Sequence, residues 1–296
     1  MQHDLTLQAV HWEQRGIDAR DAGRHAEAES HFARAVLKAP DRALSWLGLA
    51  LSQIDQKRVS AALASLYRAR DLSPQSGVVA HLLNSLSGKT SPRAPESYVA
   101  WLFNTYAAHF DTHLARLAYQ GPDMLRQLAL RADWPEDTSR RFLDLGCGTG
   151  LSGLPFTSYA AQLDGIDLSA GMLNQARRRG IYTDLHHGEI HAVLGTLPAA
   201  TYDVVLAADT LIYIGDVAEL FSLVARSLKP GGSFLFTVES GERGFTLTSS
   251  GRYSQADEYL RTCARGLFDC VDRLEATIRI EAGQFTPARA YHLTRL

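Results

Sequence analysis

The 296-residue sequence has little cysteine, no long apolar run and almost no net charge. Its cysteines, Cys147, Cys263 and Cys270, cannot all pair with one another, and no C-x-x-C or zinc-ligand spacing occurs. No apolar stretch approaches the length that spans a bilayer. The formal net charge of -2 gives no general electrostatic reason to bind nucleic acid or an anionic membrane. These absences favour a protein of a reducing compartment.

The first residues also lack the pattern of a secretory signal, because Met1-Gln2-His3-Asp4 has no basic region followed by an apolar one. We therefore expect a cytoplasmic location and neither nucleic acid nor membrane among the partners. His186, His187 and His191 lie close together, but no further ligand is spaced to join them. We expect no bound metal.

A glycine-rich stretch is the centre of the functional argument. The apolar run from Phe142 to Leu145 is followed by glycine at Gly146, Gly148 and Gly150. Such a pattern is typical of a strand–turn–helix junction at which a ligand approaches the backbone, since side chains there would block it. The segment from Leu151 to Tyr159 predicts the start of the helix.

The spacing of the glycines distinguishes two kinds of nucleotide site. A dinucleotide fingerprint has the form G-x-G-x-x-G and directs a helix N-terminus at a pyrophosphate. Here the form is G-x-G-x-G, Leu151 follows, and Asp144 comes two residues before the first glycine. A carboxylate there would repel a pyrophosphate but could hold the ammonium of an amino acid. S-adenosylmethionine has such an ammonium and no phosphate.

In these residues the sequence resembles the class I S-adenosylmethionine-dependent methyltransferases. The resemblance implies a Rossmann-like α/β sheet with helices on both faces, and the alternating strand and helix patterns after Arg141 agree with it. It also implies S-adenosylmethionine as cofactor, with S-adenosylhomocysteine as the product. The implied cofactor-binding residues are Asp144, Gly146, Cys147, Gly148, Gly150, Asp167, Leu168, Met172, Gly188, Glu189, Ile190, Ala207 and Asp209.

Several of these residues have a specific expected role. Asp167, at the end of the second strand, can accept two hydrogen bonds from a ribose diol, or it can cap the helix that starts near Ser169. Met172 can pack on the adenine ring, where a thioether suits an aromatic face. By the resemblance, Glu189 accepts a hydrogen bond from the adenine amino group, and residues 207–210 contact the methionine part and the acceptor.

The methyl acceptor is less well specified. No Asn-Pro-Pro-Tyr or Asp-Pro-Pro-Tyr follows the fourth strand, which argues against nucleic-acid bases and glutamine amides as substrates. In this family, helices before the first strand often form a wall of the acceptor pocket. Such helices are expected between Glu96 and Tyr119, with a cap and break at Asp111 and Thr112, and again from Gly121. The pocket candidates there are Tyr106, His109, Phe110 and His113, unless they are ordinary core or surface residues.

Other residues are candidates for proton handling or acceptor binding. The candidate general bases are His109, His113 and Tyr213. Asp209 and Tyr213 could orient the acceptor. Arg252 and Tyr253 are the most distinctive residues of a polar loop after the fifth strand, where acceptor pockets usually form. Arg252 could bind an acidic substrate, or it could pair with Asp257 or Glu258.

The N-terminal part repeats with a period of 34 residues. Tryptophan, alanine and proline recur at Trp12 and Trp46, Ala28 and Ala62, Ala35 and Ala69, and Pro40 and Pro74. This pattern resembles the tetratricopeptide repeat, in which small residues let two antiparallel helices approach and a proline ends the second. A helix over Gly77 to Ser87 is expected to cap the two repeats. Such a module could bind a partner, self-associate or pack passively on the catalytic domain.

We therefore predict a repeat module over residues 1–88, a linker with pocket helices over 89–140, and a methyltransferase domain over 141–296 that ends in an antiparallel strand pair. This architecture resembles a bacterial group of predicted methyltransferases that carry tetratricopeptide repeats. The leading hypothesis is methyl transfer to an O, N or S atom of a small molecule. The alternatives are a protein methyltransferase whose repeats recruit a polypeptide, and a non-catalytic scaffold with a vestigial methyltransferase fold.

Overall fold

The computed structural model describes residues 2–281 and 283–296 of the chain. Met1, one of the residues used above to judge the absence of a secretory signal, lies outside the described residues. Two compact units divide the chain: Met1–Lys89 with Ser249–Gly251, and Thr90–Thr248 with Arg252–Leu296. Among the described helices, none is both long enough and apolar enough to cross a membrane.

The first unit is helical. Its helices are α1 (Gln2–Asp21), α2 (His25–Lys38), α3 (Ala43–Asp55), α4 (Val59–Leu72) and α5 (Gly77–Ser87). The predicted helical module is confirmed, and α5 has the bounds expected for the capping helix. Ser76 accepts a hydrogen bond from the Val79 backbone N–H, and Gly88 adopts a left-handed conformation, so both ends of α5 are capped.

Two glycines make room for a ring at the centre of this unit. Phe32 is buried, and a Cβ atom on Gly16 would lie 2.7 Å from its ring. The same atom on Gly48 would lie 2.1 Å from the ring. Any larger residue at either position would displace the ring or separate the helices. The repeat pattern indicates Gly16 as a small packing residue, whereas Gly48 was not predicted.

The second unit begins with α6 (Glu96–Tyr106), α7 (Phe110–Arg116) and α8 (Gly121–Arg131). The break between α6 and α7 falls before Phe110, so the predicted cap at Asp111 and Thr112 was wrong. His109 takes the N-cap position, and Asp111 lies in the first turn of α7, where a carboxylate suits the helix dipole. The Asp111 carboxylate accepts a hydrogen bond from Thr149, which is distant in sequence, and this partner could not be predicted locally.

The elements in the rest of the chain are β1 (Arg140–Leu145), β2 (Ala160–Asp167), α9 (Ala170–Arg179), β3 (Asp184–His187), α10 (Ile190–Thr196), β4 (Tyr202–Ala207), α11 (Ala218–Ser227), β5 (Leu228–Ser240), β6 (Phe245–Leu247), β7 (Tyr253–Gln255), α12 (Asp257–Ala264), β8 (Phe268–Glu281) and β9 (Gln284–Arg295). Among them, strands and helices alternate from β2 to β5. The short strands β6 and β7 lie in the segment that was predicted to be a loop.

The strands form one nine-stranded sheet within the described residues. Its order is β3-β2-β1-β4-β5-β7-β6, with β9 antiparallel to β5 and β8 paired to β9. Strands β1 to β5 are parallel. The chain moves outward from β1 to β3 and then returns to the other side of β1 with β4. The α/β Rossmann-like prediction is confirmed, and the switch point between β1 and β4 is where such sheets bind ligands.

Both faces of the sheet are covered by apolar side chains. Successive residues of β1 point to opposite faces, so Phe142 packs in one layer with Phe156, and Leu143 packs in the other with Phe221. All four side chains are completely buried. A parallel sheet covered on both sides fixes the ends of its strands firmly, and the candidate site is formed at those ends.

The helix predicted after the glycines does not form. Leu154–Phe156 makes only one 3₁₀ turn, and β2 starts at Ala160. Pro155 has no N–H to donate to the preceding turn, and Gly153 disfavours helix, so the segment cannot propagate. A ligand at the glycine turn therefore faces backbone and loop groups instead of a regular helix N-terminus.

The closing antiparallel pair predicted for the C-terminal region is present as β8 and β9. Phe236 of β5 is paired with Tyr291 of β9, and their rings stack with centroids 5.0 Å apart. The β8–β9 register shifts between Thr277 and Arg279, which indicates a bulge. The shift lies next to Arg279, whose side chain is buried and forms part of the site described below.

Candidate active site

The glycine turn connects β1 to the 3₁₀ segment. Gly146, Gly148 and Gly150 have φ angles of 65°, 55° and 94°, a region that residues with side chains rarely adopt. The turn is held by backbone hydrogen bonds from Cys147 N to the Ile166 carbonyl (3.0 Å) and from Gly150 N to the Cys147 carbonyl (2.8 Å). Its shape is therefore fixed by the backbone and does not depend on a ligand.

The three glycines face different surroundings. A Cβ atom on Gly146 would lie 2.6 Å from Thr210 Oγ1, and one on Gly150 would lie 2.9 Å from the Tyr182 ring. On Gly148 the nearest side-chain atom would be Phe110 Cε1, 3.9 Å away. Gly146 and Gly150 are thus needed for packing within the protein. Gly148 has no comparably close neighbour, which suits a close approach by a ligand.

Asp144 is completely buried behind this turn. Its Oδ2 accepts hydrogen bonds from Ser152 Oγ (2.6 Å) and Tyr182 OH (2.7 Å). Its Oδ1 is buried without a hydrogen-bond partner among the described residues. Burial raises the pKa of Asp144 to about 7. A cation at the turn would compensate this charge, so the expected ammonium role stays a prediction with a physical basis.

Asp167 lies at the end of β2, beside the same turn. Its Oδ2 accepts a hydrogen bond from Gly148 N (2.9 Å), and its Oδ1 accepts one from Ser169 N (2.7 Å). Burial raises the pKa of Asp167 to about 6. Ser169 itself caps α9 by accepting from Met172 N, so Asp167 is not needed for that purpose. Each Asp167 oxygen keeps a further lone pair for a ribose hydroxyl.

Apolar residues of the expected cofactor site are buried around these carboxylates. Met172, Cys147 and Ala207 are nearly or completely inaccessible, and Leu168 is half-buried. Burial raises the pKa of the Cys147 thiol well above its usual value, so this cysteine is a packing residue and not a thiolate. The Leu168 carbonyl lies 3.0 Å from His187 Nε2.

Glu189 lies at the end of β3 and caps α10. Its Oε2 accepts from Ala192 N (2.9 Å), and its Oε1 lies 2.6 Å from His191 Nδ1. Burial would raise its pKa, but the hydrogen bonds from His191 and Ala192 outweigh burial and lower it to about 2. Gly188 N donates to the Asp167 carbonyl, and Ile190 is the first residue of α10. Glu189 is therefore ionised and held at the edge of the site, and its contact with adenine stays a prediction.

Helices α6 and α7 cover the open side of the glycine turn. The Phe110 ring is the nearest side chain to the space at Gly148, and it packs against Phe103, which in turn contacts Tyr213. Tyr106 and His113 face each other with ring centroids 5.8 Å apart. His109, at the N-cap of α7, and His113 are both exposed, whereas Tyr106 and Phe110 are half-buried.

Two hydrogen-bonded latches hold these helices to the strand ends. Asn104 Oδ1 of α6 accepts from Ser169 Oγ (2.7 Å) and Gly171 N (3.2 Å) at the start of α9. On α7, Asp111 accepts from Thr149 Oγ1 and from Arg179 Nη2, each at 2.5 Å. Neither set of hydrogen bonds could be predicted from the sequence, because the partners are far apart in the chain and no local pattern links them.

Asp209 follows β4 in a left-handed conformation with φ of 56°, which is uncommon outside glycine. Its backbone N–H donates to Thr237 Oγ1 (2.8 Å), and its Oδ2 accepts from Arg279 Nη1 (2.7 Å). Such backbone strain persists where the surroundings impose it, often at functional sites. Asp209 is thus fixed at the point where the acceptor and the methionine part of the cofactor are expected.

Arg252 has other partners than the two considered from the sequence. It donates from Nε to Glu239 Oε1 (2.8 Å) and from Nη2 to Glu281 Oε2 (2.5 Å). Asp257 instead pairs with Arg261 and Arg273. Tyr253 is completely buried and its hydroxyl lies 2.8 Å from Ser91 Oγ, so it offers no surface to an acceptor.

Tyrosines surround the strand ends near Asp209. Burial raises the pKa of Tyr98 to about 12 and also raises the pKa values of Tyr119 and Tyr213. Tyr119 and Tyr213 keep part of their surface exposed. They are protonated at neutral pH, and we infer that Tyr213 is a hydrogen-bond donor in preference to a general base. Among the described residues, no group of three or more histidine, cysteine or acidic side chains is arranged to hold a metal.

Two protein families match parts of the chain. Residues 143–236 match the family described as methyltransferase domain. The chain carries a methyltransferase domain. Residues 14–77 match the family described as tetratricopeptide repeat. The prediction of a class I methyltransferase fold preceded by tetratricopeptide repeats is confirmed, and the matched methyltransferase residues include the glycine turn, Asp167, Glu189 and Asp209.

Curated relatives of the methyltransferase domain differ in their named pathways. A ubiquinone biosynthesis O-methyltransferase of Bradyrhizobium sp. (strain ORS 278) is 33% identical over 131 residues, which are 43% of this chain and 49% of the relative. A biotin biosynthesis bifunctional protein BioHC of Teredinibacter turnerae is 29% identical over 196 residues, which are 61% of this chain and 33% of the relative. The chain thus spans about half the length, or less, of these relatives.

Solved structures agree on the fold. The 1,6-didemethyltoxoflavin-N1-methyltransferase of Burkholderia thailandensis has a TM-score of 0.53 and 16% identity, and the match covers 70% of this chain and 92% of that one. That structure contains its substrate and S-adenosylhomocysteine. At this identity the likeness shows the fold alone. The names of these relatives include both O- and N-methylation, so they leave the acceptor atom open.

Proposed function

We propose that the protein transfers a methyl group from S-adenosylmethionine to an O, N or S atom of a small molecule. The observation that carries the proposal is the uncrowded turn at Gly148, whose N–H donates to the buried Asp167 carboxylate, together with the buried Asp144 carboxylate at the end of β1. Carboxylates favour ligands with cationic or neutral hydrogen-bond donors over anionic ligands. A ligand with an ammonium group and a ribose diol satisfies both.

The described residues fit S-adenosylmethionine in two independent ways. The unpartnered Oδ1 of Asp144 has a buried negative charge that an ammonium at the glycine turn would compensate. The free lone pairs of Asp167 suit the ribose hydroxyls, because its two backbone hydrogen bonds already fix the carboxylate in place. Glu189 and Met172 would then contact the adenine, as their places at the end of β3 and in α9 allow.

When bound, S-adenosylmethionine supplies a methyl group on a sulfonium, which is a very good leaving group. The protein then contributes mainly by positioning the acceptor against the methyl group and by excluding water. Phe110 and Tyr213 would shield the space between the glycine turn and Asp209. His109 and His113 remain the candidate bases, and His113 faces Tyr106 with ring centroids 5.8 Å apart.

Calorimetry with S-adenosylhomocysteine tests the proposal. The wild-type protein should bind the compound, and Asp167→Ala should bind it at least about tenfold more weakly, since a charge-assisted contact contributes about 1.5–3 kcal/mol. Turnover is then followed as S-adenosylhomocysteine released from S-adenosylmethionine with phenolic, amine and thiol compounds. Failure of the folded wild-type protein to bind at high micromolar ligand would reject the proposal and favour the scaffold alternative.

A second candidate is a protein methyltransferase that recruits its substrate through the repeats. The match of residues 14–77 to the tetratricopeptide repeat family favours it, because such arrays often bind peptides. Incubation of the full chain with cell extract and radiolabelled S-adenosylmethionine separates the two functions. A labelled protein band that disappears when repeat residues 1–88 are saturated with a competing peptide supports this candidate. Label confined to small molecules supports the first.

A further inference from the structure

Five charged side chains form a cluster beyond the end of β4. They are Asp209, Glu239, Arg252, Arg279 and Glu281, and we call them the arginine–carboxylate cluster. Arg279 bridges Asp209 at 2.7 Å and also binds Glu239, while Arg252 bridges Glu239 at 2.8 Å and Glu281 at 2.5 Å. Arg279 is 2% exposed. Arg279 is therefore buried at the centre of the cluster, whereas Glu281 is 47% exposed at its outer edge.

The charges in this cluster do not balance. Three carboxylates face two guanidinium groups, which leaves one negative charge when all are ionised. Each arginine already bridges two of the carboxylates. A carboxylate on an incoming molecule would have to displace one of them and would add a second uncompensated charge. Net charge inside a partly buried site therefore disfavours an acidic acceptor.

One carboxylate oxygen in the cluster is not satisfied. Asp209 Oδ1 is buried and has no hydrogen-bond partner among the described residues, although Oδ2 is held by Arg279. A buried acceptor without a donor carries a desolvation cost. A donor on a bound molecule would remove that cost. The Asp209 side chain retains 17% exposure, so a group that enters the site can reach this residue.

Aromatic side chains lie around the same point. The pKa values of Tyr119 and Tyr213, both raised mainly by burial, respond to the charges of Asp209 and Arg279, so both hydroxyl groups lie close to the cluster. Tyr213 also contacts the Phe103 ring, with centroids 5.3 Å apart. Flat aromatic walls next to a hydrogen-bond acceptor suit a planar molecule that carries a hydroxyl or an amine.

We propose that Arg279 is a positioning residue that fixes Asp209 so that its second oxygen accepts a hydrogen bond from the methyl acceptor. The site thereby selects planar acceptors with a hydroxyl or amine group and rejects carboxylates. This inference rests on the proposed methyl transfer. It also assigns Arg252 to the support of the cluster and not to the binding of an acidic substrate.

Ligand-observed NMR on the full chain with saturating S-adenosylhomocysteine tests the proposal. The probes are catechol, benzylamine and benzoate, each at millimolar concentration and at the same pH. Catechol or benzylamine should bind at least about tenfold more tightly than benzoate. Equal binding of benzoate, or binding of none of the three while S-adenosylhomocysteine binds, would overturn the inference.

Variants separate positioning from general stability. Asp209→Asn should weaken the binding of catechol and benzylamine about tenfold or more, and by more than it weakens the binding of S-adenosylhomocysteine. Asp209→Asn with Glu281→Gln makes the cluster positive and should admit benzoate. Arg279→Gln should weaken the binding of catechol and benzylamine by releasing Asp209, and Arg279→Lys should partly restore it. If Arg279 had only a structural role, its substitution would change the affinities for all three probes by the same factor, and that result would contradict the proposal.

The matched control is Arg273→Gln, which removes the same charge from the same strand. Arg273 pairs with Asp257 and Glu275, away from the cluster, so the probe ratio should not change. If the chain fails to bind S-adenosylhomocysteine in the first place, the proposed function fails and not this inference. If S-adenosylhomocysteine binds and Arg273→Gln changes the probe ratio as much as Arg279→Gln, the cluster has no special role and the inference is rejected.

Discussion

The two ends of the candidate active site, the glycine turn and the arginine–carboxylate cluster, are formed by different kinds of groups. The glycine turn is shaped by backbone hydrogen bonds and by three glycines with positive φ, all within six residues of Asp144. The arginine–carboxylate cluster is built from side chains, and its central pair, Asp209 and Arg279, is 70 positions apart in the chain. One end depends on backbone shape, whereas the other depends on charge.

This difference has consequences for function. A backbone turn leaves almost no freedom for substitution, so it suits a ligand that stays the same, such as a cofactor. A side-chain cluster can be altered one charge at a time while the sheet is preserved, so it suits the choice of acceptor. The curated relatives, named for ubiquinone and biotin biosynthesis, match a similar core and differ in their named roles.

The largest expected effect comes from replacing a glycine of the turn by alanine. Gly148→Ala places its Cβ 3.9 Å from the Phe110 ring and in the position expected for the ligand, so it should reduce S-adenosylhomocysteine affinity about a hundredfold. Gly146→Ala is the matched control, because both substitutions carry the strain of a positive φ but only the Cβ at position 146 would overlap Thr210. Gly146→Ala should therefore lower Tm more than Gly148→Ala does. Calorimetry and thermal unfolding of both variants measure the contrast, and equal Tm losses would contradict it.

The next effect concerns the buried charge of Asp144. Its pKa of about 7 in the folded protein lies above the value of 3.8 for a free side chain. Stability of the ligand-free protein should therefore fall as the pH rises through that interval, because the folded state must ionise a buried carboxylate. Asp144→Asn should raise Tm by a few degrees at about pH 8 and have little effect near pH 5.

The same substitution should weaken ligand binding. Wild-type affinity for S-adenosylhomocysteine should be about tenfold lower near pH 6 than near pH 8, because at pH 6 Asp144 is largely protonated and Asp167 about half protonated. Asp144→Asn should reduce that pH dependence. A pH-independent affinity in the wild type, or a loss of stability in Asp144→Asn at high pH, would refute the role of this charge.

A third effect separates helix capping from ligand binding at Glu189. Glu189→Ser keeps a side chain that can cap α10, so Tm should be maintained while S-adenosylhomocysteine binds about tenfold more weakly. Glu189→Ala should lose the cap as well, at a cost of about 1 kcal/mol of folding free energy. Thermal unfolding and calorimetry distinguish the pair. Unchanged affinity in both variants would leave Glu189 only the role of a cap.

A smaller effect is expected at the latch on α7. Asp111→Ala removes the acceptor for Thr149 and Arg179, so α7 should cover the glycine turn less firmly. Because the carboxylate is 46% exposed, we expect only a severalfold loss of S-adenosylhomocysteine affinity, mainly in the dissociation rate. Asp123→Ala, an exposed acid in the first turn of α8, is the control and should have no such effect.

The smallest effect tests the independence of the two ends. Glu281→Gln changes the charge of the arginine–carboxylate cluster but touches none of the glycine-turn residues. S-adenosylhomocysteine affinity should remain within about twofold of wild type, as expected for sites without shared partners. Calorimetry measures it directly. A tenfold change would mean that the two ends are coupled and that the comparison drawn above is wrong.

The sequence predicted the cofactor end better than the acceptor end, for a physical reason. The glycines and Asp144 are neighbours in the chain, and Asp167 and Glu189 follow the next strands in order, so alternation of strands and helices is enough to bring them together. The roles of these residues remain predictions. The 3₁₀ turn at Leu154–Phe156 was missed because Pro155 and Gly153 interrupt an otherwise apolar pattern.

The acceptor end could not be predicted because it depends on strand register. In an undisturbed β8, simple alternation would place Ile278 and Ile280 on one face and Arg279 on the other. The register shift beside Arg279 changes this, so Ile278 and Arg279 are both buried, whereas Ile280 is 37% exposed. Asp209 was expected near the acceptor, but its partners in β5 and β8 have no local signal in the chain.

The most direct test is a crystal structure of the full chain with S-adenosylhomocysteine. The account predicts that its amino-acid tail lies against Gly146 to Gly150, that its ribose hydroxyls bind Asp167, and that its sulfur faces Asp209. A glycine turn closed by side chains from α7, or a ligand bound elsewhere with Asp167 uncontacted, would contradict the account.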